Sequence, residues 1–152
     1  MIKILFICHG NICRSPAAEM VLRHLAEEAG VAERFVIASA AATSEEIGND
    51  VYPPMKRALA ARGIPCRPHA ARRVTREEYG SWDHIICMDE ENLRDMRRLF
   101  GGDPERKCSF LMAWTGEPDA EIEDPWYTRR FDRVLAQIER GCRGLLGALK
   151  GA

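Results

Sequence analysis

At 152 residues, 46% of them apolar and 30% charged, the chain fits one globular domain over 1–152 whose core needs no disulfides. A formal net charge of −1 argues against nucleic acid as a partner, and no apolar run nears the roughly 20 residues of a membrane span, so no membrane partner is expected. Six cysteines without C-x-x-C pairs, four scattered histidines and an opening run, Met1 to Ile7, too short for a secretion signal predict free thiols in a reducing, cytoplasmic setting, with no metal site.

Ile2 to Ile7 is a compact apolar run rich in branched residues, the pattern of a buried strand. Ser15-Pro16 opens a helix, serine as cap and proline at the first helical position, which runs through Met20, Val21 and Leu25 to a stop at Gly30. Phe35 to Ala38 reads as a second strand, and Pro53-Pro54 start a helix ending near Gly63. Thr75-Arg76-Glu77-Glu78 is a capping box for a short helix. Asp83 to Met88 makes a third strand, Asp89 caps a helix reaching Phe100, and Cys108 to Met112 makes a fourth strand. A long loop from Thr115 to Tyr127 precedes a last helix with Phe131, Val134, Leu135 and Ile138 at core spacing. Strands alternating with helices predict an α/β three-layer sandwich around a four-stranded parallel sheet. Ligands of such folds bind beyond the carboxyl ends of the strands, so chemistry is expected after Ile7.

The residues there are Cys8-His9-Gly10-Asn11-Ile12-Cys13-Arg14-Ser15-Pro16. A loop between a strand and a helix N-terminus presents backbone N–H groups at the positive end of the helix dipole, which suits an anion. Gly10 lets the backbone curl, and Asn11 is among the few other residues that tolerate positive φ. Arg14 grips two oxygens of a phosphate with its planar fork, and the same positive ring favours a thiolate at Cys8. Five residues between Cys8 and Arg14 are enough to wrap one tetrahedral anion, with sulfur below phosphorus and donors around the equatorial oxygens. No G-x-x-x-x-G-K-[ST] occurs, so a Walker-type nucleotide loop is excluded. Two cysteines in one small loop admit two readings of Cys13: an apolar filler beneath the loop, or a thiol that traps oxidised Cys8 as a disulfide.

This loop resembles the phosphate loop of the low-molecular-weight protein tyrosine phosphatase family. Ser39-Ala40-Ala41, His69-Ala70-Ala71-Arg72, Cys87-Met88-Asp89-Glu90-Glu91-Asn92-Leu93 and Asp124-Pro125-Trp126-Tyr127 follow in family order along the whole chain. His9 stands where leucine is often found, and its side chain is expected to point away from the phosphate. The resemblance implies a flavodoxin-like phosphatase fold and hydrolysis of phosphotyrosine through a cysteinyl-phosphate, with no metal or other cofactor. It makes Cys8 the nucleophile, Arg14 the anion's clamp and Asp124 the general acid, with His9, Gly10, Asn11, Ile12 and Cys13 around the substrate. From spacing alone Asp124 is one surface aspartate among several, so the acid role comes from the resemblance. By the same resemblance Ser15 donates to the Cys8 thiolate, Trp126 and Tyr127 wall the pocket, and Asn11, Ser39, His69 and Arg72 form a supporting network. The opposite wall carries Glu45 and Glu46, where the family often has an aromatic residue.

Partners implied are a phosphotyrosine-containing protein and inorganic phosphate as product, with the enzyme a monomer or weak dimer. Three alternatives are weaker. Arsenate reductases of the same fold relay a disulfide through further cysteines, whereas Cys87 sits in a strand with no cysteine pair after it. A branch acting on phosphoarginine has threonine at the place of Ile12, whose bulk argues for an aryl phosphate. A non-catalytic phosphotyrosine-binding module would lack Cys8 or Asp124, and both are present.

Overall fold

The computed structural model describes residues 1–151. Strand β1 spans Ile2–Cys8, β2 Phe35–Ala41, β3 His84–Cys87 and β4 Cys108–Phe110. All pairings are parallel, in the order β2-β1-β3-β4. Ile4, Leu5, Phe6 and Ile7 are fully buried, as in a strand covered on both faces. Alternation divides them: Ile4 and Phe6 join one apolar cluster, Leu5 and Ile7 the other.

Helices α1 (Arg14–Glu28), α2 (Pro53–Ala61) and α5 (Phe131–Leu149) pack into the first cluster, and α3 (Glu90–Phe100) into the second, giving the three layers expected. The predicted α5 stripe of Phe131, Val134, Leu135 and Ile138 is buried. Two glycines let α5 press against the turn that follows β4: a Cβ at Gly141 would strike Leu111, and one at Gly144 the Trp114 carbonyl.

Five elements differ in extent or type from the sequence reading. β3 is trimmed to His84–Cys87 from the Asp83 to Met88 expected. β1 runs one residue further, so that Cys8 still pairs with Ala41 and is held by the sheet itself. β2 likewise continues to Ala41, because Ser39 to Ala41 pair with the end of β1. β4 stops at Phe110, and Leu111–Thr115 form a 3-10 turn instead of strand. The Thr75 capping box starts a 3-10 turn, Arg76–Ser81.

The start of α1 is a larger correction. Arg14 and Ser15 are already helical, Cys13 occupies the cap position, and no side chain caps the helix. Ser15 is therefore not the cap, because its hydroxyl is engaged elsewhere, and Pro16 sits in the first turn, where its missing N–H costs nothing.

Candidate active site

Beyond the end of β1 the chain curls through His9 to Cys13 before α1 begins. Asn11 takes the left-handed conformation, φ 59°, and Gly10 does not. Gly10 serves a close approach instead: a Cβ there would lie 3.2 Å from the Glu46 side chain. The curl is fixed from outside by His69, whose Nε2 lies 2.6 Å from the Asn11 carbonyl, and by the Tyr52 amide, which donates to the Ile12 carbonyl at 2.7 Å. Since a carbonyl only accepts, Nε2 of His69 carries the proton.

Hydrogen bonds around Asn11 have a determined direction. The Arg72 amide donates to Asn11 Oδ1 at 3.1 Å, so Nδ2 is the donor toward Ser15 Oγ at 2.9 Å and Ser39 Oγ at 3.0 Å. The Ser39 hydroxyl in turn donates to Glu19 Oε1 at 2.7 Å. Ser15, already accepting from Asn11, has its proton free for Cys8 Sγ at 3.0 Å, and its amide also points at that sulfur, at 3.4 Å. Negative charge on the Cys8 sulfur is thus met by two donors. Arg72 contributes through its backbone, while its guanidinium pairs with Glu78 on the far side.

Arg14 is 2% exposed, and its Nη1 donates to Asp89 Oδ2 at 2.7 Å and to the Ile122 carbonyl at 2.9 Å. Among the described residues Nε and Nη2 carry no hydrogen bond, which leaves that edge of the fork for an anion. Burial works against the Arg14 charge, but Cys8, Asp89 and Asp124 outweigh it and raise the pKa. Asp89 is a site residue that sequence reasoning saw as a helix cap alone. It does cap α3, Oδ1 accepting from the Asn92 amide at 2.9 Å, and its other oxygen holds the arginine.

Asp124 closes the site from the loop read as running to Tyr127. That loop contains a short helix, α4 (Pro125–Thr128), capped by Asp124 Oδ1 through the Trp126 amide at 3.0 Å. Oδ2 lies 3.6 Å from Arg14 Nη2, so the carboxyl stands beside the anion position. Trp126 packs on Tyr52 with ring centroids 4.9 Å apart, and Arg129 donates to the Tyr52 hydroxyl at 3.1 Å. Tyr52 is a second residue that sequence reasoning missed, standing before two prolines with no motif around it.

Cys8, Arg14, Asp124 and Trp126 line one cleft together with His9, Gly10, Ile12, Cys13, Glu45, Glu46 and Tyr127. The cleft has a volume of about 160 Å³ and is open to solvent on one side. Cys13 both lines the cleft and joins the apolar core beneath it, and burial pushes its thiol well above the usual range. His9 lines the cleft with its ring nitrogens turned to Glu45 and Glu91. Ser39, His69 and Arg72 stand behind the loop as supports. No group of three or more His, Cys, Asp or Glu among the described residues is placed to hold a metal ion.

A family profile described as low molecular weight phosphotyrosine protein phosphatase matches residues 3–152. A protein of that name from Pongo abelii is 40% identical over 148 residues, covering 95% of this chain and 93% of its own. The low molecular weight protein-tyrosine-phosphatase YfkJ of Bacillus subtilis is 34% identical over 151 residues, 99% of this chain and 97% of its own. The YfkJ crystal structure superposes with a TM-score of 0.94 over 99% of this chain and 96% of that one. A protein tyrosine phosphatase from Entamoeba histolytica, 28% identical, gives 0.91 over 99% and 98%. Fold, strand order and full-length sequence likeness agree: the chain belongs to the low molecular weight phosphotyrosine protein phosphatase family.

Proposed function

We propose that this enzyme hydrolyses phosphotyrosine in proteins, with Cys8 as nucleophile, Arg14 as anion clamp and Asp124 as acid and then base. The observation that carries the reading is the sulfur of Cys8, met by the Ser15 hydroxyl and amide in a cleft shared with Arg14 and Asp124. In the first step Sγ forms a bond to phosphorus as the bond to the ester oxygen breaks, and that oxygen leaves with the Asp124 proton. The free edge of Arg14 and the loop amides neutralise the equatorial oxygens. In the second step the Asp124 carboxylate takes a proton from water, the water oxygen attacks phosphorus, and the S–P bond breaks to release inorganic phosphate and the thiolate.

An aryl ester fits the remaining lining. Tyr127 and Trp126 supply aromatic faces on one side, and Ile12 puts an apolar side chain where a smaller polar one would leave room. Every group in the sequence of steps belongs to one chain, so a monomer suffices. All six cysteines are free, which supports a reducing, cytoplasmic setting. Turnover of para-nitrophenyl phosphate and of a phosphotyrosine peptide tests the reading. Release of phosphate from both is expected, and binding without turnover would reduce the protein to a recognition module.

A further inference from the structure

His9, the second residue of the phosphate loop, takes no part in the hydrogen bonds that hold Cys8. Its Nε2 lies 2.8 Å from Glu45 Oε2 and its Nδ1 3.0 Å from Glu91 Oε1. A neutral imidazole has one N–H, so both carboxylates are satisfied together by the imidazolium alone. Glu45 comes from the segment after β2 and Glu91 from the first turn of α3, and the ring ties these two segments across the loop. The charged groups around it are Glu45 and Glu91 themselves, Glu46 beside Glu45, and Cys8 and Arg14, which line the same cleft. With His9 charged, the cleft sets Arg14 and His9 against Glu45, Glu46 and Asp124, and without that charge three carboxyl groups face one guanidinium.

We propose that His9 is a specificity-determining residue: its imidazolium, held across Glu45 and Glu91, offsets the carboxylates at the mouth and admits a doubly charged phosphate ester that the uncovered glutamates repel. The inference rests on the reading of the cleft as an aryl phosphate site. Burial by itself lowers the His9 pKa, and Glu45 and Glu91 outweigh it and raise it above the ordinary 6.5. The charged bridge is therefore complete below that ordinary value and is lost as pH rises through the raised one. Losing the proton removes a positive charge and releases one glutamate at the same moment. All three side chains are partly exposed, so solvent screening limits the effect.

The test is kcat/KM for para-nitrophenyl phosphate between about pH 5 and 9 in the parent and in His9→Leu, taken as a ratio so that the ionisation of the free substrate cancels. The parent is expected to exceed the variant roughly three- to tenfold at the acid end, mainly through KM, and to converge on it at the alkaline end. A ratio that does not change with pH overturns the proposal. Glu91→Gln removes one partner from outside the cleft lining, and its own ratio to His9→Leu is expected to converge at lower pH than the parent's does. Convergence at an unchanged pH overturns the proposal as well. A parent with no turnover at any pH refutes the functional reading instead, and binding of inorganic phosphate by the same three proteins over the same range then decides the His9 inference by itself.

Discussion

Beneath the cleft, Asn11, Arg14 and Ser15 are 0%, 2% and 0% exposed, while Trp126 and Tyr127 at its mouth are 48% and 81% exposed. On the floor each side chain is fixed by partners from several elements: Asn11 by Arg72, Ser15 and Ser39, and Arg14 by Asp89 and Ile122. At the mouth Tyr127 has no side-chain hydrogen bond among the described residues, and Trp126, half exposed, packs on Tyr52. The contrast separates two demands. Charge developing on phosphorus is stabilised by donors already in position, which requires a rigid buried shell. Recognition of a protein segment tolerates surface side chains that settle on contact.

Substitutions on the two levels are therefore expected to fail differently. Cys8→Ser is the strongest break: turnover is expected to fall by more than about 10³-fold, since a hydroxyl in the same setting is a far poorer nucleophile and leaving group. Phosphate binding, followed by calorimetry, is expected to persist, and appreciable turnover in that variant would remove Cys8 from its role. Asp124→Ala follows, at roughly 10² to 10⁴ for phenyl phosphate and much less for esters with good leaving groups. Equal losses across a leaving-group series would mean that Asp124 is not the acid.

Asn11→Ala tests the rigidity of the floor. It strips partners from the Arg72 amide, Ser15 and Ser39 at once, and is expected to cost about 1–3 kcal/mol of stability in urea unfolding together with about a tenfold loss in kcat. Unchanged stability would show that the loop holds its shape without this relay. Tyr127→Ala is the mildest. Loss of one aromatic contact, about 0.5–1.5 kcal/mol, is expected to raise KM for a phosphotyrosine peptide a few-fold and to leave the unfolding midpoint where it was, the ring being 81% exposed. A shifted midpoint would place Tyr127 in the folded framework rather than at a surface kept for the substrate.

Legibility in the sequence followed the same division by distance along the chain. Cys8, Arg14 and the bounding strand and helix could be read because five intervening residues carry the whole phosphate loop. The sheet and its layers were legible because β1, β2 and β3 are short, largely apolar runs and the helices α1, α2 and α3 end at glycines. Ser15 misled for a physical reason: Ser-Pro is a sound capping pattern, but the tertiary partners Cys8 and Asn11 claimed the hydroxyl first. Asp89 was half legible, because its cap is local while Arg14 lies 75 residues away. His9 was opaque for the same cause, its two glutamates standing 36 and 82 residues off. The helix α4 has four residues, too few for any periodicity to announce it.

Asp89 gives each of its oxygens to a different structure, one to the Asn92 amide in the first turn of α3 and one to the guanidinium of Arg14. The two bonds share one side-chain rotamer, so they are thermodynamically linked. An oxyanion that anchors Arg14 immobilises Asp89 and with it the opening turn of α3. Reciprocity then requires that fraying of that turn weaken anion binding by the factor by which the anion suppresses fraying. The amide proton of Asn92, a residue outside the cleft lining, becomes a reporter of occupancy: its exchange with solvent slows as phosphate fills the loop.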